Sequence, residues 1–306
     1  MAVTQTLRSG LQSLNIPPDE LPSRIVGGAF DGEYFHLGVP KHLMDMMLVP
    51  EENRDWYTCQ WDPAHILELS EGNAINHAKC QHAKNVFSTI SEVSKSFSYG
   101  KSFRELLEEA AVERYYDDEN IEEVQANSAN VRVPGHFSDT RFATYSSIVM
   151  DKWLNNYPYY YKILNRNMDD ILDKINNAPF IFSCGGLRDA YSVLGSMSNA
   201  FQKPNIPSWE VSSIYETHLN ALKNMDETLD PPKLSILSIF PTIGSMAKEI
   251  SKYHEYQGCP LLVKLQPVQS TRAQTSRDDS LCNNVEDALH AAGKIVRPVI
   301  QNLIIN

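Results

Sequence analysis

The sequence predicts a mainly helical protein with a small α/β head at its N-terminal end. Two short β-prone runs carry the head: Arg24 to Phe30, which ends at a carboxylate, Asp31, set among Gly27, Gly28 and Gly32, and Trp56 to Trp61, which ends at Asp62-Pro63-Ala64-His65. Strands that deliver polar groups beside glycines are a common way for an α/β fold to present a site. From Pro63 onward apolar residues return at helical spacing through most of the chain, which carries the helical part of the reading.

In chain order, Leu7, Leu11 and Leu14 place a short helix within residues 1–15, ended by Pro17-Pro18. The first strand follows Pro22, weakened by its two central glycines. Val39-Pro40 opens a helix through Leu43, Met46 and Met47, with Pro in the first turn where its missing N–H costs nothing. Trp56 to Trp61 alternates aromatic and polar residues as a strand does. Asp62 then caps a helix with Pro63 at its first position, and Gly72-Asn73 marks a bend. Val86, Phe87, Ile90, Val93 and Phe97 form the stripe of a long helix stopped near Tyr99-Gly100.

An acidic helical segment is expected over 103–124, a loop over 125–139, and a helix capped by Ser138 or Asp139 that turns Tyr145, Ile148, Val149, Trp153 and Tyr157 to one side. Pro158 kinks or interrupts it before the stripe resumes at Tyr161 and Leu164. Phe180 to Cys184 is short, apolar and β-capable, and Gly185-Gly186 leads into a further helix. Helices are expected over 209–229 and, in two parts broken near Pro241, over 234–253. A loop covers 258–279, and a last helix, kinked by Pro298, covers 284–303. Three isolated strands do not make a stable sheet, so the head must borrow order from helices or from another chain.

Composition narrows the function classes. With 306 residues, 42% apolar and 21% charged, the chain has the make-up of a globular protein able to bury a large core. No apolar run approaches the roughly 20 residues of a membrane span, and the N-terminus is polar, so membrane and secretory roles are not expected. Five cysteines at long spacings do not form a disulfide framework, which points to a reducing, intracellular compartment. The net charge of −11 opposes autonomous binding to phosphate backbones. The longest charge block, 104–123, holds nine carboxylates against Arg104 and Arg114.

The order strand, Asp31-Gly32-Glu33-Tyr34, Val39-Pro40-Lys41-His42-Leu43, strand, Asp62-Pro63-Ala64-His65, Leu67-Glu68-Leu69 resembles the hAT class of cut-and-paste DNA transposases, especially their host-domesticated relatives. Thr140-Arg141-Phe142 is similar to that family's Thr-Arg-Trp motif with Phe in place of Trp. The resemblance covers about half the chain, Arg24 to Leu164. It implies a partial RNase H-like core, about 1–63, followed by a large helical insertion-type domain, about 64–306. It also implies that Asp31 is the second of three metal-binding acids, and that Asp62 and His65 belong to the motif at the start of the insertion.

The pattern departs from the family at both ends. Upstream of Arg24 the only acids are Asp19 and Glu20 in a proline-rich loop, and Glu286 is the only glutamate in the last segment. The N-terminal zinc finger and the C-terminal dimerisation segment are not recognisable. The expectation is therefore a truncated or domesticated relative that is catalytically inactive. Its partners would be a full-length transposase or DNA, in the nucleus rather than the cytoplasm, with no nucleotide cofactor and no metal. The alternatives are a Mg²⁺-dependent nuclease in which Asp31 is joined by acids such as Glu286, and a helical scaffold unrelated to transposons.

Each candidate residue also has a plainer reading. Asp31 is equally an Asp-Gly turn. Asp62 is equally a helix cap and His65 a partly buried histidine bonded to a carbonyl. Arg141 is equally the partner of an internal carboxylate. His77, Cys80 and His82, with Cys59, can be imagined around zinc, but His82 lies well round the helix from His77. Tyr157, Tyr159, Tyr160 and Tyr161 either stack on bases or cover the break at Pro158. Gly185-Gly186 fits no phosphate-binding loop, and Ser183-Cys184-Gly185 has no nucleophile-elbow frame.

Overall fold

A computed structural model describes residues 2–13, 20, 27–30, 33–34, 37–46, 58–99, 105–106, 142–167, 169–203, 206, 208–229, 238–261 and 285–305. The chain divides into two compact units, Met1–Leu69 and Ser70–Asn306. The expected acidic helix over 103–124, the loop over 125–139 and the Ser138/Asp139 cap lie outside the described residues.

In the first unit, α1 (Ala2–Gln12) packs against α2 (Val39–Met46), and β1 (Gly27–Phe30) pairs with β2 (Thr58–Trp61). The pairing is parallel, with Gly27 opposite Thr58 and Phe30 opposite Trp61. A parallel pair cannot be joined by a tight turn and needs a crossover, and residues 31–57, which include α2, supply it. Gly38 opens α2 at φ +67°, in the left-handed region where only glycine is unstrained, and its carbonyl accepts the His42 N–H at 3.0 Å. Val39, Pro40 and Leu43 are the buried residues of α2. Strand pairing is thus present over Gly27–Phe30 and Thr58–Trp61, the described parts of the two expected runs.

β2 hands the chain to α3 (Pro63–Asn76), and a single 3₁₀ turn (Ala78–Cys80) leads into α4 (Gln81–Tyr99). Gly72-Asn73 does not bend α3. One interior glycine costs only about 1 kcal/mol of helix propensity, and the buried Ala74 and Ile75 just beyond it anchor the helix. The expected stripe of α4 is buried throughout: Val86, Phe87, Ile90, Val93 and Phe97.

The second unit is a helical body. α5 (Phe142–Asn167), α6 (Asp169–Ile175), α7 (Ala178–Phe201), α8 (Ser208–Thr228), α9 (Pro241–Tyr253) and α10 (Val285–Ile305) follow in order, with a hairpin of β3 (Glu255–Tyr256) and β4 (Cys259–Pro260) after α9. α7 is the central element. Every residue from Ala178 to Leu187 is buried, and α5, α8, α9, α10 and α4 all pack on this helix. A helix that is apolar all round belongs inside a core.

Phe180 to Cys184 is therefore the start of α7 and not a strand. A five-residue apolar run fits a buried strand and a buried helix equally well, and the cap decides here. Asn177 is extended (φ −141°, ψ 147°), its side chain accepts the Phe180 N–H at 2.9 Å, and Pro179 occupies the first turn.

The glycine pair follows directly and sets how closely other helices approach. A Cβ added at Gly186 would lie 2.8 Å from Val296 Cγ2 of α10 and 3.1 Å from Ile243 Cδ1 of α9. One added at Gly185 would lie 2.9 Å from Met246 Sδ. Both glycines are packing residues.

The expected inner side of α5 is corrected at its start: Val149, Trp153 and Tyr157 are buried, whereas Tyr145 and Ile148 are partly exposed, at 37% and 41%. α5 also runs through Pro158 without interruption, and α10 runs through Pro298. Proline at 158 removes the N–H that would bond the carbonyl of Leu154. Gln257 Nε2 donates to that carbonyl at 3.0 Å instead.

Gln257 and Gly258, at φ 51° and φ 73°, form the two-residue turn between β3 and β4. The left-handed Gln257 is held in place: its N–H donates to Glu249 Oε1, and its amide also reaches Tyr256 Oη at 2.9 Å. The Tyr256 ring packs on Tyr157 with centroids 5.5 Å apart. The hairpin thus covers the proline break, and its second strand lies at the start of the loop expected over 258–279.

Two tests of this packing are direct. Gly186→Ala should lower stability by about 1–3 kcal/mol in urea unfolding, because a β-branched valine cannot swing away. Gly185→Ala should cost less, since a methionine can, and Gly72→Ala, with nothing within 4 Å, should stabilise by up to about 1 kcal/mol. Equal losses at 185 and 186 would contradict this geometry. In a double-mutant cycle, Gln257→Ala should cost less stability on a Pro158→Ala background, where the helix supplies its own donor to Leu154. Additive losses would show that Gln257 does not serve that carbonyl.

Candidate functional site

The residues singled out in the sequence do not gather into a catalytic centre among the described residues. Asp31 and Arg141 lie outside them. Asp62 follows β2, and its N–H donates to the Phe30 carbonyl at 2.9 Å, extending the ladder by one bond. Its Oδ1 accepts the Ala64 N–H at 3.0 Å and its carbonyl accepts the Ile66 N–H at 3.0 Å. This is the geometry of a helix cap. His65 sits half-buried in the first turn that the cap opens. Glu286 is exposed beside Asp287 in the first turn of α10, where a carboxylate suits the positive end of the helix dipole.

The imagined zinc set comes apart in the same way. His77 Nδ1 accepts the Lys79 N–H at 3.3 Å and caps the 3₁₀ turn. Cys80 is buried with its Sγ 3.6 Å from Asn302 Nδ2 of α10, and burial raises the pKa of its thiol. His82 is exposed. Among the described residues no group of three or more His, Cys, Asp or Glu side chains is placed to hold a metal.

Three of the four tyrosines in the run are core, and Tyr161 is only partly buried. Tyr157 and Tyr160 have no exposed surface and Tyr159 is 8% exposed. Tyr160 stacks on Trp153 with centroids 5.1 Å apart and leans on Phe97, while Tyr157 Oη donates to Asn176 Oδ1 at 3.3 Å. Burial pushes the Tyr157 and Tyr160 hydroxyls far up. Side chains so enclosed cannot stack on bases. The Ser183-Cys184 pair is equally closed: Ser183 Oγ donates to the Pro179 carbonyl at 2.6 Å, and burial pushes the fully enclosed Cys184 thiol up, away from the reactive thiolate.

The most concentrated polar chemistry is a cluster that motif reading passed over. Arg188 and Asp189 stand side by side on α7. Arg188 Nε donates to Asp151 Oδ1 of α5 at 2.6 Å, and Nη1 donates to Thr242 Oγ1 at 3.0 Å and to Asp189 Oδ1 at 3.2 Å. Asp189, only 2% exposed, accepts the Thr242 N–H at 3.0 Å on Oδ2 and the Thr242 hydroxyl on Oδ1. α9 starts after Phe240, which makes no side-chain cap bond. Asp189 therefore caps α9 from another helix. A helix start lacking Ser, Thr, Asp or Asn, as at Phe240-Pro241, is the sequence sign that such a cap must come from elsewhere. Burial raises the Asp189 carboxyl above its ordinary value, against the pull of the Thr242 hydroxyl, Arg188 and the Thr242 N–H. The Arg188 guanidinium is in turn raised, chiefly by its bond to Asp151. These groups bond to one another, so the cluster ties α5, α7 and α9 together.

An open groove of about 450 Å³ lies between α5 and α7, with Ile148, Ser192, Gly195, Ser196 and Lys203 on its walls. Ser196 Oγ is 3.4 Å from His218 Nε2 on α8, and His218 Nδ1 is 2.7 Å from the Ile214 carbonyl. A carbonyl only accepts, so Nδ1 carries a proton and donates to Ile214. The Ser196–His218 pair resembles a nucleophile and base, but Ser196 lies within α7 and not at its N-terminus, where free N–H groups could hold an oxyanion. The arrangement is a bond between two helices.

No family model, no curated protein and no solved structure matches the chain. Among the described residues no helix is long and apolar enough to cross a membrane.

Asp189→Ala should destabilise the protein by about 1–3 kcal/mol, since it uncaps α9 and leaves the Thr242 N–H and hydroxyl without their acceptor. Its pH signature has a definite sign. With the folded value raised, the folded state holds the Asp189 proton more tightly than the unfolded state does. The associated stability is fully present below the ordinary aspartate range and is lost as pH rises through the folded value. Asp189→Asn should remove that component, so the difference in unfolding free energy between wild type and variant should change across the acid range. A pH-independent difference would contradict the assignment.

Proposed function

We propose that the chain is a transposase-derived protein of hAT type, without catalysis of its own, that acts by contact with a full-length transposase relative in the nucleus. The observation that carries the proposal is the parallel pairing of β1 with β2 across a helical crossover, followed at once by Asp62-Pro63-Ala64-His65 at a helix start. That is the order of elements the resemblance implies for the end of an RNase H-like sheet beside its helical insertion. It also disfavours an unrelated helical scaffold, which gives no reason for these two runs to pair.

The inactivity rests on charge geometry. Two-metal phosphoryl transfer needs two or three carboxylates around cations roughly 4 Å apart. Asp62, which directly follows the second strand, is engaged as a helix cap. A protein partner is favoured over DNA because the net charge is −11 and three of the four tyrosines suited to bases, Tyr157, Tyr159 and Tyr160, are buried in the core.

Calorimetric titration with Mg²⁺ tests the inactive reading, with Asp31→Asn beside the wild type. Identical heats are expected, whereas a heat that vanishes in the variant would restore the Mg²⁺-dependent nuclease built on Asp31 and acids such as Glu286. Size-exclusion mixing with a full-length hAT transposase, and separately with duplex DNA at low salt, tests the partner. A complex with the transposase alone supports the proposal. Salt-sensitive binding to DNA alone, or no complex with either, overturns it.

A further inference from the structure

We draw no further inference here: the strongest candidate, the open groove between α5 and α7 with the Ser196–His218 hydrogen bond beside it, places its hydroxyl within a helix whose backbone N–H groups are already spent, and nothing in the structure shows what covers it.

Discussion

The helical body depends on α7 having no side that faces water along its first ten residues, Ala178 to Leu187. Other helices can close on it only if their side chains reach its backbone, and Gly185-Gly186 allow that from two directions, toward Met246 and Ile243 of α9 and toward Val296 of α10. Each large buried side chain contributes roughly 1.5–3 kcal/mol of hydrophobic stabilisation, so a spacing that lets several of them interlock decides more than any single ion pair. The ion pair between Lys174 and Glu92, with both side chains about half exposed at 49% and 46%, contributes far less.

Helices drawn this close must satisfy the polar groups exposed at their breaks and ends, and the body does so by lending side chains between elements. Gln257 serves the carbonyl that Pro158 frees on α5, and Asp189 serves the start of α9 that Phe240 cannot cap. In a low-dielectric interior an unserved group costs roughly 1–3 kcal/mol, which makes these loans structural necessities. The buried acid has Thr242 and Arg188, and the enclosed thiol of Cys184 is pushed away from its reactive form. The polar clusters resolved here hold shape.

Most of this fold was legible where amphipathic spacing is strong. The stripe Val86 to Phe97 and the last helix follow from periodicity, and the cap at Asp62 follows from Asp-Pro chemistry. Legibility failed where local pattern and tertiary context disagree. Phe180 to Cys184 has no polar face by which period can be read, so only its surroundings make it helical. Tyr145 and Ile148 match the spacing of Trp153 yet stay partly exposed, because spacing alone does not say where a neighbour begins. Gly72 and Pro158 look like breaks, and both are absorbed by packing or by a borrowed donor. The Asp189 cluster was illegible for a related reason: its members come from three helices far apart in sequence, and adjacency in the chain joins only Arg188 to Asp189.

The functional candidates divide along the same line. Asp62 is placed by local chemistry and is legible as a cap. A role for it in catalysis needs other acids brought from a distance, which short motifs cannot supply. What unites the account is the claim that α7 forms the rigid centre of the helical body. Native-state hydrogen exchange followed by mass spectrometry tests that claim most directly. The account predicts that amides from Ile181 to Leu194 are among the slowest to exchange, opening only with global unfolding. Exchange there as fast as in α8, whose outer side includes a 76% exposed Trp209, would contradict it.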